Sequence, residues 1–145
     1  MIKICYVVTV ALTIKAFFVA QLKALANEGY EVSVVCAPDE ELQSLLGENI
    51  RFIPIQIPRG ISLFGSIRAI KRLKELFKKE HYDIVQYSTP NAALYASIAA
   101  KKEKVKIRNY HLMGFRYLGA RGCKRKFLKW IEKKSCKNST HIECV

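Results

Sequence analysis

The sequence lacks several patterns that define whole classes of protein. Seven glycines and four prolines among 145 residues exclude a collagen-like or low-complexity chain. No two of the five cysteines stand in CxxC spacing, and their odd number argues against a disulfide framework. The absence of a GxGxxG fingerprint disfavours a stand-alone dinucleotide-binding domain. Because no apolar run reaches about 18 residues, no segment is expected to span a bilayer.

Acidic residues are scarce in the second part of the chain. Residues 1–60 carry 5 basic and 6 acidic residues, whereas residues 61–145 carry 20 basic and 6 acidic ones. The formal charge of +13 therefore originates in residues 61–145. Such a surplus predicts contact with an anion, and three kinds remain open here: a phosphate-bearing substrate, a membrane surface or a nucleic acid.

The cysteines are expected to be reduced thiols, which suits a cytoplasmic protein. Cys5 and Cys36 lie inside apolar runs, where a free thiol behaves as a small buried hydrophobe. A zinc site is the alternative for the C-terminal set Cys123, Cys136, His141 and Cys144. Because these spacings match no common zinc module, the sequence predicts no metal site.

Short apolar runs alternate with amphipathic segments along the whole chain. Strands are predicted at residues 2–10, 31–36, 50–57, 83–87, 105–112 and 140–145. Helices are predicted at residues 16–28, 39–46, 62–79, 91–102 and 124–134. The N-terminus imitates a signal peptide, but the helical spacing of Phe17, Leu22 and Leu25 favours a strand followed by a helix.

This alternation predicts the fold class α/β, as a Rossmann-like parallel sheet with helices on both faces. Nearly continuous apolar strands are typical of strands that are covered on both sides. In such sheets, ligands bind beyond the carboxyl ends of the strands. The loops expected to carry the chemistry are therefore residues 8–15, 88–91 and 112–118.

Four segments, taken in order, resemble one enzyme family. Residues 3–9 lead into a helix that ends Gly29-Tyr30-Glu31-Val32, similar to the family's G-(H/Y)-E-V. Residues 82–93 are similar to its D-I-V-H-x-H-T-P, and residues 107–117 to its Y-T-x-H-G-F-R. Residues 130–132 and 142–145 are similar to a helix with a glutamate before a V-I-x-V-S strand. The chain thus resembles the N-terminal domain of a family 4, GT-B-fold glycosyltransferase of the bacterial surface-polysaccharide type.

The resemblance implies an enzyme with two domains and a cleft between them. Residues 1–145 would be the Rossmann-like domain on the acceptor side. The domain that binds the nucleotide-sugar would be absent from this chain. The chain would then be a fragment that is inactive on its own. The implied reaction is retaining transfer of a hexose from a nucleotide-sugar to a saccharide or lipid-linked acceptor in polysaccharide biosynthesis. It needs no cofactor and no obligatory metal. The implied location is cytoplasmic, at the inner face of the membrane. A sugar-nucleotide epimerase of GT-B architecture and a basic nucleic-acid-binding α/β domain remain as alternatives.

The resemblance also implies a set of site residues, with departures from the family. Thr9, Thr13 and Lys15 replace the glycines that many members carry after the first strand. Met113 stands where many members have a histidine, so His111, two residues earlier, becomes the candidate catalytic residue. A strand-end histidine satisfied by backbone or water is the alternative for His111. The remaining substrate-binding candidates are Thr89, Asn91, Met113, Gly114, Phe115 and Arg116.

Residues 121–134 combine basic and apolar side chains in a pattern typical of a helix lying on an anionic membrane. Lys124, Arg125, Lys126 and Trp130 are expected to face the lipid. The alternative is a core-packed helix with a solvated basic face. No helix-turn-helix, RNP-type or zinc-finger pattern is present, so no nucleic-acid partner is expected.

Overall fold

The computed structural model describes residues Met1 to Val145 and contains one six-stranded sheet. The strands are β1 (Lys3–Val7), β2 (Glu31–Cys36), β3 (Ile50–Pro54), β4 (Ile84–Tyr87), β5 (Ile107–Leu112) and β6 (His141–Cys144). All are parallel, in the spatial order β3-β2-β1-β4-β5-β6. The predicted Rossmann-like α/β class is therefore confirmed, and the direction of winding reverses between β1 and β4.

Helices cover both faces of the sheet. They are α1 (Ala11–Phe17), α2 (Val19–Asn27), α3 (Leu42–Leu46), α4 (Leu63–Glu80), α5 (Pro90–Lys102) and α6 (Gly122–Asn138), with a 3-10 turn at Arg116–Gly119. Alternate residues of each strand point to opposite faces, so the core has two parts. Ile4 and Tyr6 pack with the α1–α3 side, whereas Cys5 and Val7 pack with the α4–α6 side.

The first helix differs from its prediction. It begins at Ala11 rather than at residue 16, and it is interrupted at Phe18, where a second helix starts. The strand β1 correspondingly ends at Val7, although the prediction extended it to residue 10. The sequence from Ile4 to Ile14 runs through both elements and is apolar except for Thr9 and Thr13, which is why its pattern does not show where the strand ends.

The C-terminal cysteines and histidine do not form the zinc site considered above. No cluster of three or more His, Cys, Asp or Glu side chains occurs with a geometry suited to a metal ion. All five cysteines are free, and Cys5 and Cys36 are buried as expected. Burial raises the pKa of the Cys36 thiol to about 12. No helix combines the length and the apolar character needed to cross a membrane.

Candidate functional site

The segments that follow β1, β3, β4 and β5 enclose an open cleft of about 370 Å³, here called the threonine cleft. Its lining residues are Thr9, Val10, Leu12, Thr13, Arg59, Thr89, Pro90, Asn91 and Arg116. The structure therefore brings together five of the predicted substrate-binding residues, from the segments after β1, β4 and β5. They meet beside the β1–β4 reversal, where sheets of this kind place their ligands.

A second cleft of about 350 Å³, here called the β5-loop cleft, adjoins the first. It is lined by Thr89, Pro90, Tyr110, Met113, Gly114, Phe115 and Arg116. Three further predicted residues, Met113, Gly114 and Phe115, lie here. Because Thr89, Pro90 and Arg116 line both clefts, one extended ligand can occupy the two together.

Hydrogen bonds from Thr89 and Asn91 tie the loops around the threonine cleft to one another. The hydroxyl oxygens of Thr9 and Thr89 lie 2.8 Å apart, and the Thr9 backbone N–H donates to Thr89 Oγ1 at 3.3 Å. Asn91 Nδ2 donates to the carbonyl oxygens of Pro58 at 2.6 Å and Gly60 at 3.3 Å. The ends of β1, β3 and β4 are thereby held in one arrangement before any ligand arrives.

Two residues of the clefts have unusual backbone angles. Thr89 has a φ of +69°, which is rare for a β-branched residue and typical of a functional loop. Gly114 has a φ of +142°, a conformation that other residues seldom adopt. A Cβ added to Gly114 would meet no atom within 4 Å, so its glycine serves the backbone turn rather than close packing.

The clefts are suited to an anion. Arg59 and Arg116 are exposed, and neither forms an ion pair with a carboxylate. Pro90, in the first turn of α5, lines both clefts, and the first N–H groups of this helix have no acceptors within it. No acidic side chain and no histidine lines either cleft. The arrangement can hold a phosphate or diphosphate group, but it offers no general base.

His111 lies outside both clefts. Its Nδ1 is 3.0 Å from Glu143 Oε2 on β6, and its ring packs edge-on against Phe18 with centroids 5.2 Å apart. The hydrogen bond with His111 holds the pKa of Glu143 below its usual range. The structure therefore gives His111 a local partner, and its catalytic role stays a prediction.

Lys15 also lies outside both clefts. Its Nζ contacts Asp39 at 3.0 Å and Glu41 at 3.3 Å. The hydrogen bond from Lys15 lowers the pKa of Asp39 and, in return, raises the pKa of Lys15. Asp39 also accepts from the backbone N–H of Leu42, so this group fixes the start of α3. Binding of a phosphate by Lys15 stays a prediction.

Glu132 of α6 is buried and contacts Tyr110, a lining residue of the β5-loop cleft. The Tyr110 hydroxyl donates to Glu132 Oε2 at 2.6 Å, and Oε1 has no hydrogen-bond partner. Burial raises the pKa of the Glu132 carboxyl. A signal was present in the sequence, because Glu132 follows Leu128 by four residues and so lies on the helix face that packs on the core.

Arg59 is a cleft residue that the sequence analysis missed. It follows β3 in the segment Pro58-Arg59-Gly60. The rule that ligands lie beyond the carboxyl ends of strands applies to β3 as well as to β1, β4 and β5, and would have included it.

The predicted lipid-facing residues of α6 are on the surface. Lys124, Arg125 and Lys126 are exposed, and Trp130 is 55% exposed with its ring stacked on Phe127. Ile131 is buried in the core, so α6 has one packed face and one basic face. These contacts fit a helix that lies on an anionic membrane as well as a core-packed helix with a solvated basic face. Contact of α6 with a membrane stays a prediction.

Fold and site together define the class of the protein. It is a Rossmann-like α/β domain with two clefts at the strand reversal, which are lined by arginines and by the N-terminus of α5. The chain belongs to the glycosyl transferase 4-like family, whose model matches residues 3–145.

Two curated relatives and one solved structure place the chain more closely. It is 27% identical over 128 residues to the UDP-Gal:alpha-D-GlcNAc-diphosphoundecaprenol alpha-1,3-galactosyltransferase of Escherichia coli, covering 86% of this chain and 33% of the relative. It is 32% identical over 131 residues to the capsular polysaccharide biosynthesis glycosyltransferase CapM of Staphylococcus aureus, covering 90% of this chain and 34% of that relative. The putative UDP-N-acetylglucosamine 2-epimerase from Listeria monocytogenes superposes with a TM-score of 0.71 at 17% identity, over 98% of this chain and 38% of that one. The chain thus spans about a third of the length of these curated relatives.

Proposed function

We propose that this chain is the acceptor-side half of a retaining glycosyltransferase. In this proposal, the enzyme transfers a hexose from a nucleotide-sugar to a lipid-diphosphate-linked saccharide during polysaccharide biosynthesis, at the cytoplasmic face of the membrane. The observation that carries it is the pair of joined clefts, which present Arg59 and Arg116 without any carboxylate. Family membership and the names of both curated relatives support the reaction class.

The clefts favour binding and positioning over proton transfer. In the reaction, the acceptor hydroxyl forms a bond to the anomeric carbon while the bond from that carbon to the nucleotide diphosphate breaks. Negative charge grows on the departing diphosphate, and preorganised cations and N–H groups stabilise such charge best. We assign the binding of the diphosphate groups, of the donor and of the lipid-linked acceptor, to Arg59, Arg116 and the N-terminus of α5, which line the clefts.

The same geometry supports a need for a second half. No acidic side chain and no histidine lines either cleft, so this chain brings no group that would take the proton of the acceptor hydroxyl. The curated relatives are about three times as long as the matched region. We therefore expect the nucleotide-sugar and the remaining catalytic groups to be held by a further domain, and this chain alone to be inactive.

The epimerase alternative has support from the fold, since the Listeria structure shares it. A fold shared at 17% identity does not identify a reaction, because one fold supports many chemistries. Both curated relatives are glycosyltransferases and match at higher identity. We therefore prefer glycosyl transfer.

A transfer assay on the full-length gene product tests the proposal. The enzyme is supplied with UDP-sugars and with N-acetylglucosamine diphosphate that carries a short polyprenyl chain, and the product anomer is read by NMR. Arg59→Ala and Arg116→Ala should each lower kcat/KM by about tenfold or more, since each removes a charge-assisted contact. Arg72→Ala, which removes an exposed arginine of α4 outside the clefts, is the matched control.

Three results of this assay would count against the proposal. Inversion at C2 of the free UDP-sugar with no acceptor product would favour the epimerase. Transfer with inverted anomeric configuration would refute the retaining assignment. Unchanged kcat/KM in both arginine variants would remove the two clefts from the reaction.

A further inference from the structure

The start of α4 displays an unusual apolar surface. Ile61 is 85% exposed, Leu63 71%, Phe64 84% and Ile67 57%, all within one short segment. We call residues 59–68 the α4 tip. Single exposed hydrophobic residues are ordinary, but several neighbouring ones at this level of exposure mark a surface that contacts a partner.

The α4 tip is held rigidly in this exposed position. Asn91 binds the carbonyl oxygens of Pro58 and Gly60, and the Ser62 hydroxyl accepts from the Gly65 N–H at 3.2 Å. A Cβ on Gly65 would lie 2.8 Å from Pro58 Cγ, so the glycine allows the loop and the first helical turn to pack together. The apolar side chains are therefore presented by a fixed scaffold and are not turned inward.

The charged residues of the α4 tip and of the sequence on either side of it are all basic. No acidic residue occurs between Glu48 and Glu75. Phe64, Ile67, Arg68 and Lys71 follow helical spacing and form one exposed stripe. Apolar side chains flanked by cations match an anionic lipid surface, which offers acyl chains below and phosphates above.

The α4 tip also adjoins the ligand clefts. Arg59 lines the threonine cleft, and Asn91, another lining residue, holds the loop that carries Ile61. A bilayer that received the tip would therefore lie beside the mouth of that cleft. A lipid-linked acceptor could then reach the cleft without leaving the membrane.

We propose that the α4 tip is the part of this chain that enters an anionic bilayer, with Phe64 and its apolar neighbours in the interfacial layer and Arg68 and Lys71 at the lipid phosphates. This deepens the membrane location proposed above, because it assigns the deepest contact to α4 rather than to α6. The two helices lie on the same face of the sheet, on either side of α5, so basic residues of α6 can strengthen the attraction.

Vesicle flotation with the 145-residue chain tests the inference. The vesicles contain phosphatidylglycerol and phosphatidylcholine, and no sugar substrate is present. Phe64→Ser should weaken binding by about tenfold, since a buried aromatic side chain contributes strongly to partitioning. Phe17→Ser, which removes a phenylalanine of α1 that is 66% exposed on the opposite face, should leave binding unchanged. Both positions are exposed, and thermal unfolding checks that both variants fold.

Charge reversal and fluorescence provide the second arm. Arg68→Glu should weaken binding by about fivefold or more, whereas Lys23→Glu on α2 should not.

Trp130 is the only tryptophan of the chain, so a Phe64→Trp, Trp130→Phe double variant reports on the tip alone. Its emission should shift to the blue on binding and be quenched by lipids brominated near the headgroup.

Four outcomes would overturn the inference. These are no binding to anionic vesicles, equal binding by Phe64→Ser, retention on DNA in place of vesicles, and self-association that Phe64→Ser abolishes. A blue shift of Trp130 in the wild-type chain without one at position 64 would assign the contact to α6 instead. Because the assay contains no donor or acceptor, failure of glycosyl transfer leaves its result unaffected.

Discussion

Tyr110 connects the β5-loop cleft to the core. Its ring lines the cleft, while its hydroxyl donates to a buried carboxylate oxygen of Glu132. Burial raises the pKa of Tyr110 as well as that of Glu132. The pair therefore fixes the side of the cleft with a polar contact that has little access to water. A change at Glu132 is expected to reach Met113, Gly114 and Arg116 through Tyr110.

The pH dependence of stability tests the environment of Glu132. The folded state holds the proton of this carboxyl more tightly than the unfolded state, so its stabilisation is complete at low pH and is lost as pH rises through the folded pKa. The amide of Glu132→Gln stays neutral at every pH. The free energy of unfolding of this variant minus that of wild type should therefore be larger at about pH 7 than at about pH 4. Urea denaturation at the two pH values measures this.

The matched control for that experiment is Glu75→Gln, at an exposed position on α4. The gain in free energy of unfolding between the two pH values should be larger for Glu132→Gln than for this exposed variant. An equal free-energy difference between Glu132→Gln and wild type at both pH values would contradict a raised pKa.

Gly114 offers a second test at the residue scale. Gly114→Ala should lower the free energy of unfolding by about 1 kcal/mol or more, because a φ of +142° is strained for alanine. Gly119→Ala is the control, since Gly119 has no positive φ and is equally uncrowded. If both variants unfold at the same denaturant concentration, backbone geometry is not the reason for a glycine at position 114.

At the scale of the elements, α4 shows which boundaries a sequence can define. Ser62 was predicted to start this helix, and its side chain does accept from the Gly65 N–H. The helix ends at Glu80, followed by His81 with a left-handed φ of 54°. Polar caps of this kind are visible in a sequence because they differ from the periodic pattern on either side.

The cap of α4 can be measured directly. Ser62→Ala should lower the free energy of unfolding by about 1 kcal/mol, since one helix N–H loses its acceptor. Ser44→Ala removes an exposed serine of α3 that forms no side-chain hydrogen bond, and it should change stability little. Equal stabilities of the two variants would show that the Ser62 cap contributes nothing.

The sequence predicted the order of elements more successfully than their contacts. The six strands and the α4–α6 helices follow from apolar periodicity, which depends on burial alone. The break at Phe18 between α1 and α2 does not follow from apolar periodicity, because tertiary contacts cause it. The Phe18 side chain is buried and contacts Tyr6 and His111. The predicted substrate residues Thr9, Thr89 and Arg116 meet because loops after parallel strands share one edge. The prediction that His111 and Lys15 belong to the same site could not take account of their contacts. His111 contacts Glu143 and Lys15 contacts Asp39, and both partners lie far away in the sequence.

For the whole molecule, the net charge lies on one side of the sheet. The helices α4, α5 and α6 pack on the same face and carry most of the lysines and arginines of residues 61–145. A groove of about 490 Å³ between α4 and α5 is lined by Lys71, Lys74, Lys78 and Lys102, with Glu75 and Glu103 among them. This groove is larger than either cleft at the carboxyl edge, so it is the rival position for any anionic ligand.

The central claim is that the two joined clefts bind a sugar diphosphate. Amide shift changes in the 15N-labelled chain, titrated with N-acetylglucosamine diphosphate that carries a short polyprenyl chain, test it most directly. We predict shifts concentrated at Thr9, Asn91, Gly114 and Arg116, with binding weakened by Arg116→Ala and unchanged by Arg72→Ala. Shifts confined to the lysine groove between α4 and α5, or none at millimolar ligand, would contradict it.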